Sequence, residues 1–214
     1  MIFNKEKKFI LISIPKTAST SLMSLLDPES LHQKPDIYHQ SASEFEQQNG
    51  SSITKSITMI AVVRDPFYRA VSTYCDAVYD NNHVTLSPLR KYKNFKEFIA
   101  DLPRSKLNKK IRHLWPQYKF IESNNFSQKK IFYYESLDQA KDFILKIAEK
   151  EPLELPHHRK TSDRRSEIYE LYNIRSLLIV LRVYIKDFIA HPRYLKSFLS
   201  ILRKILKNKL KKLI

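Results

Sequence analysis

The chain has 214 residues, enough for one α/β domain with a core of its own, and 43% hydrophobic and 12% aromatic residues exclude a disordered polymer. Its lone cysteine, Cys75, excludes an internal disulfide and any cysteine-based zinc site, and fits a reducing compartment. The net charge of +16 points to polyanionic partners.

Taken in chain order, residues 8–14 read as a strand, followed by a polar turn at 15–20 and a helix at 21–26. Residues 32–56 are polar and read as a loop with some helix, with Ser51-Ser52 as a flexible tip. A second buried strand is predicted at 57–63. It runs into the polar loop Arg64-Asp65-Pro66 and a helix from 67 to about 79, with Asp65 as cap and Pro66 in the first turn. Residues 94–102 form a short helix candidate, and 130–134 (KIFYY) a third strand. Helices follow at 137–149, about 164–171 and about 174–189. Alternating strands and helices imply an α/β domain with a central parallel sheet covered on both faces. Such sheets bind ligands at the carboxyl ends of their strands, where both polar loops sit. The first apolar run, residues 9–14, meets Pro15 and Lys16 rather than a cleavage site, and is far short of the roughly 20 residues that span a bilayer, so a soluble or peripheral protein is expected.

The turn Pro15-Lys16-Thr17-Ala18-Ser19-Thr20-Ser21 lies between a strand and a helix. A helix N-terminus presents free N–H groups and partial positive charge, small residues let an anion approach, and hydroxyls and Lys16 add donors. The single glycine, Gly50, excludes any Gly-rich nucleotide fingerprint, and the lysine precedes the turn instead of following it. An ordinary polar turn is the alternative. In the second loop, Arg64 ends a buried strand and Ser72 lies eight residues on, within the next helix. A guanidinium and a hydroxyl there can grip a second phosphate, or Arg64 can pair with Asp65 at a structural corner.

Pro15 to Ser21 resembles the 5′-phosphosulfate loop of sulfotransferases dependent on 3′-phosphoadenosine 5′-phosphosulfate (PAPS), in the form of the carbohydrate branch that includes heparan sulfate 2-O-sulfotransferases and bacterial relatives. Arg64 to Ser72 resembles that family's 3′-phosphate motif, and softer likenesses occur at Arg159-Lys160-Thr161 and at Tyr184-Ile185-Lys186-Asp187-Phe188. The resemblance covers roughly residues 8–194 and implies a P-loop-like three-layer domain over residues 1–190; residues 191–214 are read separately, from their own spacing, as a basic amphipathic C-terminal helix. It implies that Lys16, Thr17, Ala18, Ser19, Thr20 and Ser21 line the 5′-phosphosulfate. Arg64 and Ser72 would hold the 3′-phosphate, with Lys160 or Arg159 closing over it. The implied reaction is an in-line displacement at sulfur without a metal, Lys16 stabilising charge and a histidine acting as base. His39, in an H-x-[ST]-[AL]-like segment, is the first choice; His113, in an H-x-x-P-Q-like segment, is the second; acidic side chains stay open.

The same resemblance implies a carbohydrate acceptor, acidic if the basic and aromatic residues between Tyr79 and Tyr118 line a groove; the alternative is a solvated basic face. This fits a bacterial enzyme of polysaccharide or glycolipid synthesis, cytoplasmic or peripheral at the inner face of the membrane. Half of the net charge lies after Asp187, where eight Lys and Arg occur and no acid. There Leu195, Phe198, Leu199, Leu202, Ile205, Leu206, Leu210 and Leu213 recur at three- and four-residue spacing, a basic amphipathic helix suited to a membrane surface, to the domain itself or to a partner. A non-catalytic nucleic-acid- or polyanion-binding module is the rival reading, although nucleic acid gives no reason for two phosphate loops.

Overall fold

The structure, a computed structural model, describes residues 1–28, 38–80, 84–104, 106–156 and 168–211. The chain divides into two compact units, Met1–Arg64 with Gln117–Arg159 and Asp65–Pro116 with Lys160–Ile214.

The first unit carries the sheet. Its strands are β1 (Ile2–Asn4), β2 (Phe9–Ile12), β3 (Thr58–Val63) and β4 (Gln128–Tyr133), in the order β1-β2-β3-β4. β2, β3 and β4 are mutually parallel, whereas β1 is an antiparallel edge strand that the sequence did not announce. Three residues are too few to show alternation. The turn into β2 is closed locally, Lys7 N–H donating to Asn4 Oδ1 at 2.9 Å and Lys8 taking a left-handed φ of 53°. The interior strands are continuously apolar because both of their faces are covered. On one face Phe9 and Leu11 line up with Ile60 and Val62. Leu22, Met23 and Leu25 from the helix Ser19–Leu26, and Ala140, Ile144 and Leu145 from Leu137–Ile147, pack over them. On the other face Phe3 lies opposite Ile10 and meets Phe45 of the helix Ala42–Asn49 edge to face at 5.0 Å. Helices therefore flank the mostly parallel sheet on both sides, as the α/β reading expected. Each large side chain removed from water here contributes about 1.5–3 kcal/mol.

Ser41 and Glu44 form a reciprocal capping box at the start of Ala42–Asn49. Gly50 ends that helix at φ 84°, a conformation that favours the chain's one glycine. The next residues, Ser51–Thr54, make a further helical turn, correcting the expected flexible tip; Lys55 N–H reaches Ser51 O at 3.0 Å.

The described part of the second unit is helical. Its core is aromatic: Phe67 packs against Tyr172, Phe188 and Phe198, and Phe95 lies among Tyr74, Phe98 and Tyr172. Asp65 caps the helix Pro66–Tyr79 through Phe67 N–H, and Pro66 occupies its first turn, both as predicted. The helix expected over 174–189 is two helices, Ile174–Val183 and Ile185–Ala190. Tyr184 breaks it at φ −106°, ψ 24°, anchored by a hydrogen bond from its hydroxyl to Leu114 O at 3.2 Å. Burial pushes that hydroxyl's pKa up to about 12, so it stays a donor. Of the helix expected at 164–171, residues 164–167 lie outside the described residues, and Ile168–Leu171 is helical.

Arg69, 1% exposed, is the largest polar side chain in this core. Its Nη2 donates to His113 O at 3.1 Å and Trp115 O at 2.6 Å, and its guanidinium lies 5.6 Å from the Tyr184 ring centroid. Burial lowers its pKa, while Tyr184 and Asp187 oppose that shift. Arg69→Ala should leave two carbonyls short of donors and open a cavity. We expect a loss of about 3 kcal/mol or more, read as a lower urea midpoint, with Arg69→Lys restoring only part of it. An unchanged midpoint for the alanine variant would show that the buried guanidinium carries no stability.

Candidate functional site

β2 ends at Ile12, and Ser13 and Ile14, both buried, lead into the first polar loop. Lys16 (φ 67°) and Ala18 (φ 63°, ψ 19°) are left-handed, although neither is glycine. Each costs about 1–2 kcal/mol relative to ordinary backbone, and strain of this kind gathers at ligand sites. Thr17 is buried between them and donates from Oγ1 to Ile14 O at 2.9 Å. The helix begins at Ser19, two residues earlier than expected, and no side chain caps it. Ser19, Thr20 and Ser21 thus place their hydroxyls in the first turn, where the backbone N–H groups carry partial positive charge. A left-handed residue leading into a right-handed turn makes a concave anion cradle.

Arg64 follows β3 and sits beside this loop. Its Nη1 donates to Lys16 O at 3.0 Å, and its guanidinium lies 4.3 Å from the ring centroid of Tyr134, just past β4. Its backbone is held by Gln117: Arg64 N–H donates to Gln117 Oε1 at 2.8 Å, and Gln117 Nε2 donates to Arg64 O at 2.8 Å. Gln117 is fully buried. Neither Gln117 nor Tyr134 was singled out as a site residue from the sequence, since a side chain pairing with backbone 53 residues away leaves no local signature.

His39 joins the same strand end. Its Nδ1 lies 2.8 Å from Ser13 O and 3.1 Å from Ser13 Oγ. A carbonyl only accepts, so Nδ1 carries a proton, and in the neutral ring the lone pair is then on Nε2. Tyr38 packs edge to face on the imidazole at 4.8 Å and donates from its hydroxyl to Thr20 Oγ1 at 2.9 Å, linking the histidine segment to the cradle. Ser13 was also missed from the sequence; its place immediately before the loop was the available signal.

In the second unit, Ser72 is buried on the helix Pro66–Tyr79, and its Oγ has no hydrogen-bond partner among the described residues. A buried orphan hydroxyl is costly, and it is what a site awaiting an acceptor oxygen leaves behind. His113 is buried in the turn Arg112–Leu114 of that unit, its carbonyl taken by Arg69. Arg112 lies 5.0 Å from the Trp115 ring centroid. Arg159, Lys160 and Thr161 lie outside the described residues. Among the described residues no group of three or more His, Cys, Asp or Glu side chains is arranged to hold a metal.

Compared with known proteins, residues 1–190 match the model of the sulfotransferase family. No curated protein and no solved structure matches the chain.

The paired hydrogen bonds of Gln117 generate a prediction. Gln117→Ala should leave the buried N–H and C=O of Arg64 unsatisfied, at about 1–3 kcal/mol each. Thermal or urea unfolding should show that loss, and Gln117→Glu, which accepts but cannot donate when ionised, should fall between the two. Wild-type stability in both variants would show that Arg64 is positioned by other contacts.

Proposed function

The chain belongs to the sulfotransferase family, and from that membership we propose that it transfers a sulfuryl group from PAPS to a carbohydrate hydroxyl, with His39 as the base. The observation that carries this reading is the left-handed, uncapped loop at Lys16–Ala18 with the Arg64 guanidinium on its carbonyl. The residues of the first unit fit the donor: a left-handed loop at a helix N-terminus with an arginine beside it.

PAPS, when bound, supplies the sulfuryl group and a stable phosphate leaving group. Lys16 and the N–H groups of the first helical turn stabilise negative charge on the 5′-phosphate side. Arg64 offers its guanidinium to the 3′-phosphate, stiffened by Tyr134 and Gln117; Ser72 belongs to the segment that resembles the family's 3′-phosphate motif. His39 takes the acceptor's proton on Nε2, while Ser13 O holds the opposite nitrogen protonated and the ring in place. As the acceptor oxygen bonds to sulfur, the bond from sulfur to the phosphate oxygen breaks in line. The chemistry then rests on positioning and electrostatics, as in phosphoryl transfer.

The carbohydrate acceptor is supported by the form of the Pro15–Ser21 loop and by aromatic and basic side chains in the second unit. Trp115 offers an indole face, braced by Arg112, and Lys93 and Arg104 are exposed. Sugar rings stack on such faces and acidic sugars pair with such cations.

Calorimetric titration with 3′-phosphoadenosine 5′-phosphate, with AMP and ATP as controls, tests the donor assignment. Tight binding of the bisphosphate alone is expected; no binding to a folded sample would leave a basic polyanion-binding module as the reading. Lys16→Ala should lower turnover by about 10²–10³-fold. His39→Ala should lower it by about 10²–10⁴-fold with bisphosphate affinity kept. Unchanged turnover in His39→Ala would remove the histidine from the mechanism.

A further inference from the structure

The C-terminal helix Leu195–Lys211 has two apolar faces, and only one of them is used by the fold. Ile201 and Ile205 are buried, and Phe198 touches Phe67 at 6.2 Å. Lys204, although exposed, sets its ammonium 5.0 Å from the Tyr169 ring centroid. This docked face lies about a third of a turn away from a second line of leucines. Leu195, Leu199, Leu206 and Leu210 fall within about a sixth of the helix circumference and are 41%, 50%, 43% and 63% exposed. Lys196, Arg203 and Lys207, all exposed, flank that line on the side away from the docked face. Exposed large apolar side chains are concentrated in this region: six of the ten among the described residues lie between Ile185 and Leu210.

We propose that this second face is a docking surface for an anionic lipid bilayer, with the leucines entering the headgroup–acyl boundary and the flanking cations meeting the headgroups. The charge pattern selects the occupant. After Asp187 the chain has eight Lys and Arg and no acidic residue, so a second copy of the helix would set cation against cation. A surface of phosphodiester headgroups complements that field and accepts the leucines at the same time. Among the described residues no helix is long and apolar enough to cross a membrane, so the contact is in the plane of the surface. The inference does not depend on the donor chemistry. It differs from a generic amphipathic tail because the helix stays docked on its own unit while it binds.

The test is co-sedimentation of the full chain with phosphatidylcholine vesicles containing about one third phosphatidylglycerol, against pure phosphatidylcholine. Binding to the anionic vesicles only, weakened by salt, is expected. Leu199→Asn with Leu206→Asn and Leu210→Asn should weaken it at least about tenfold, and Lys196→Gln with Arg203→Gln and Lys207→Gln should do the same. Circular dichroism and the melting temperature should not change, because all six positions face away from the docked side. Three results would overturn the proposal. One is wild-type protein that stays in the supernatant. Another is a leucine variant that sediments like wild type, which would assign the attraction to charge alone. The third is a wild-type dimer in solution that the leucine variant splits, which would assign the face to a second copy.

Discussion

Arg64 is the residue on which the site in the sheet-bearing unit depends. It lies one position beyond β3, where the end of a parallel strand leaves backbone groups that no neighbour in the sheet satisfies. Gln117 fills that gap with a donor and an acceptor, so the strand end is finished by one side chain acting as a short piece of extra strand. The guanidinium then reaches the neighbouring strand's loop at Lys16 O and stacks on Tyr134 beyond the strand on the other side. Three adjacent strand ends are fixed relative to one another by one residue. A cation kept this well covered needs polar and aromatic company, and Lys16 O and the Tyr134 ring supply part of it.

The second arginine of the same motif has a different task. Arg69 lies five residues on, within the helix Pro66–Tyr79, and spends its donors on carbonyls of the 113–115 segment. Its charge is closed inside the helical unit, next to Tyr184 and Asp187 of the Y-x-x-D-F segment. The motif therefore combines one arginine set at a strand end with one buried inside the following unit.

Much of this could be read from the residues because it is local. A buried apolar run followed by a short polar loop and an amphipathic stretch announces strand, turn and helix, and the cap at Asp65 with proline beside it marks a helix start. β1 escaped because three residues at a sheet edge have no period to detect. The break at Tyr184 escaped because the apolar spacing runs on through it; what stops the helix is a tyrosine hydroxyl bound to a distant carbonyl. His39 was legible as a candidate, but its tautomer was not. That depends on Ser13 O, 26 residues away and brought alongside only by the fold. Gln117 and Tyr134 were hidden for the same reason, since their partners are backbone and a guanidinium on another strand.

The left-handed backbone at Lys16 and Ala18 has a consequence for the lifetime of the protein. Two strained residues and an uncapped helix turn make this loop a weak point whenever no anion shares its N–H groups, and a ligand that binds only the folded form shifts the balance by mass action. Anything that satisfies those N–H groups in the folded chain alone would slow its unfolding, and with it its loss to proteases.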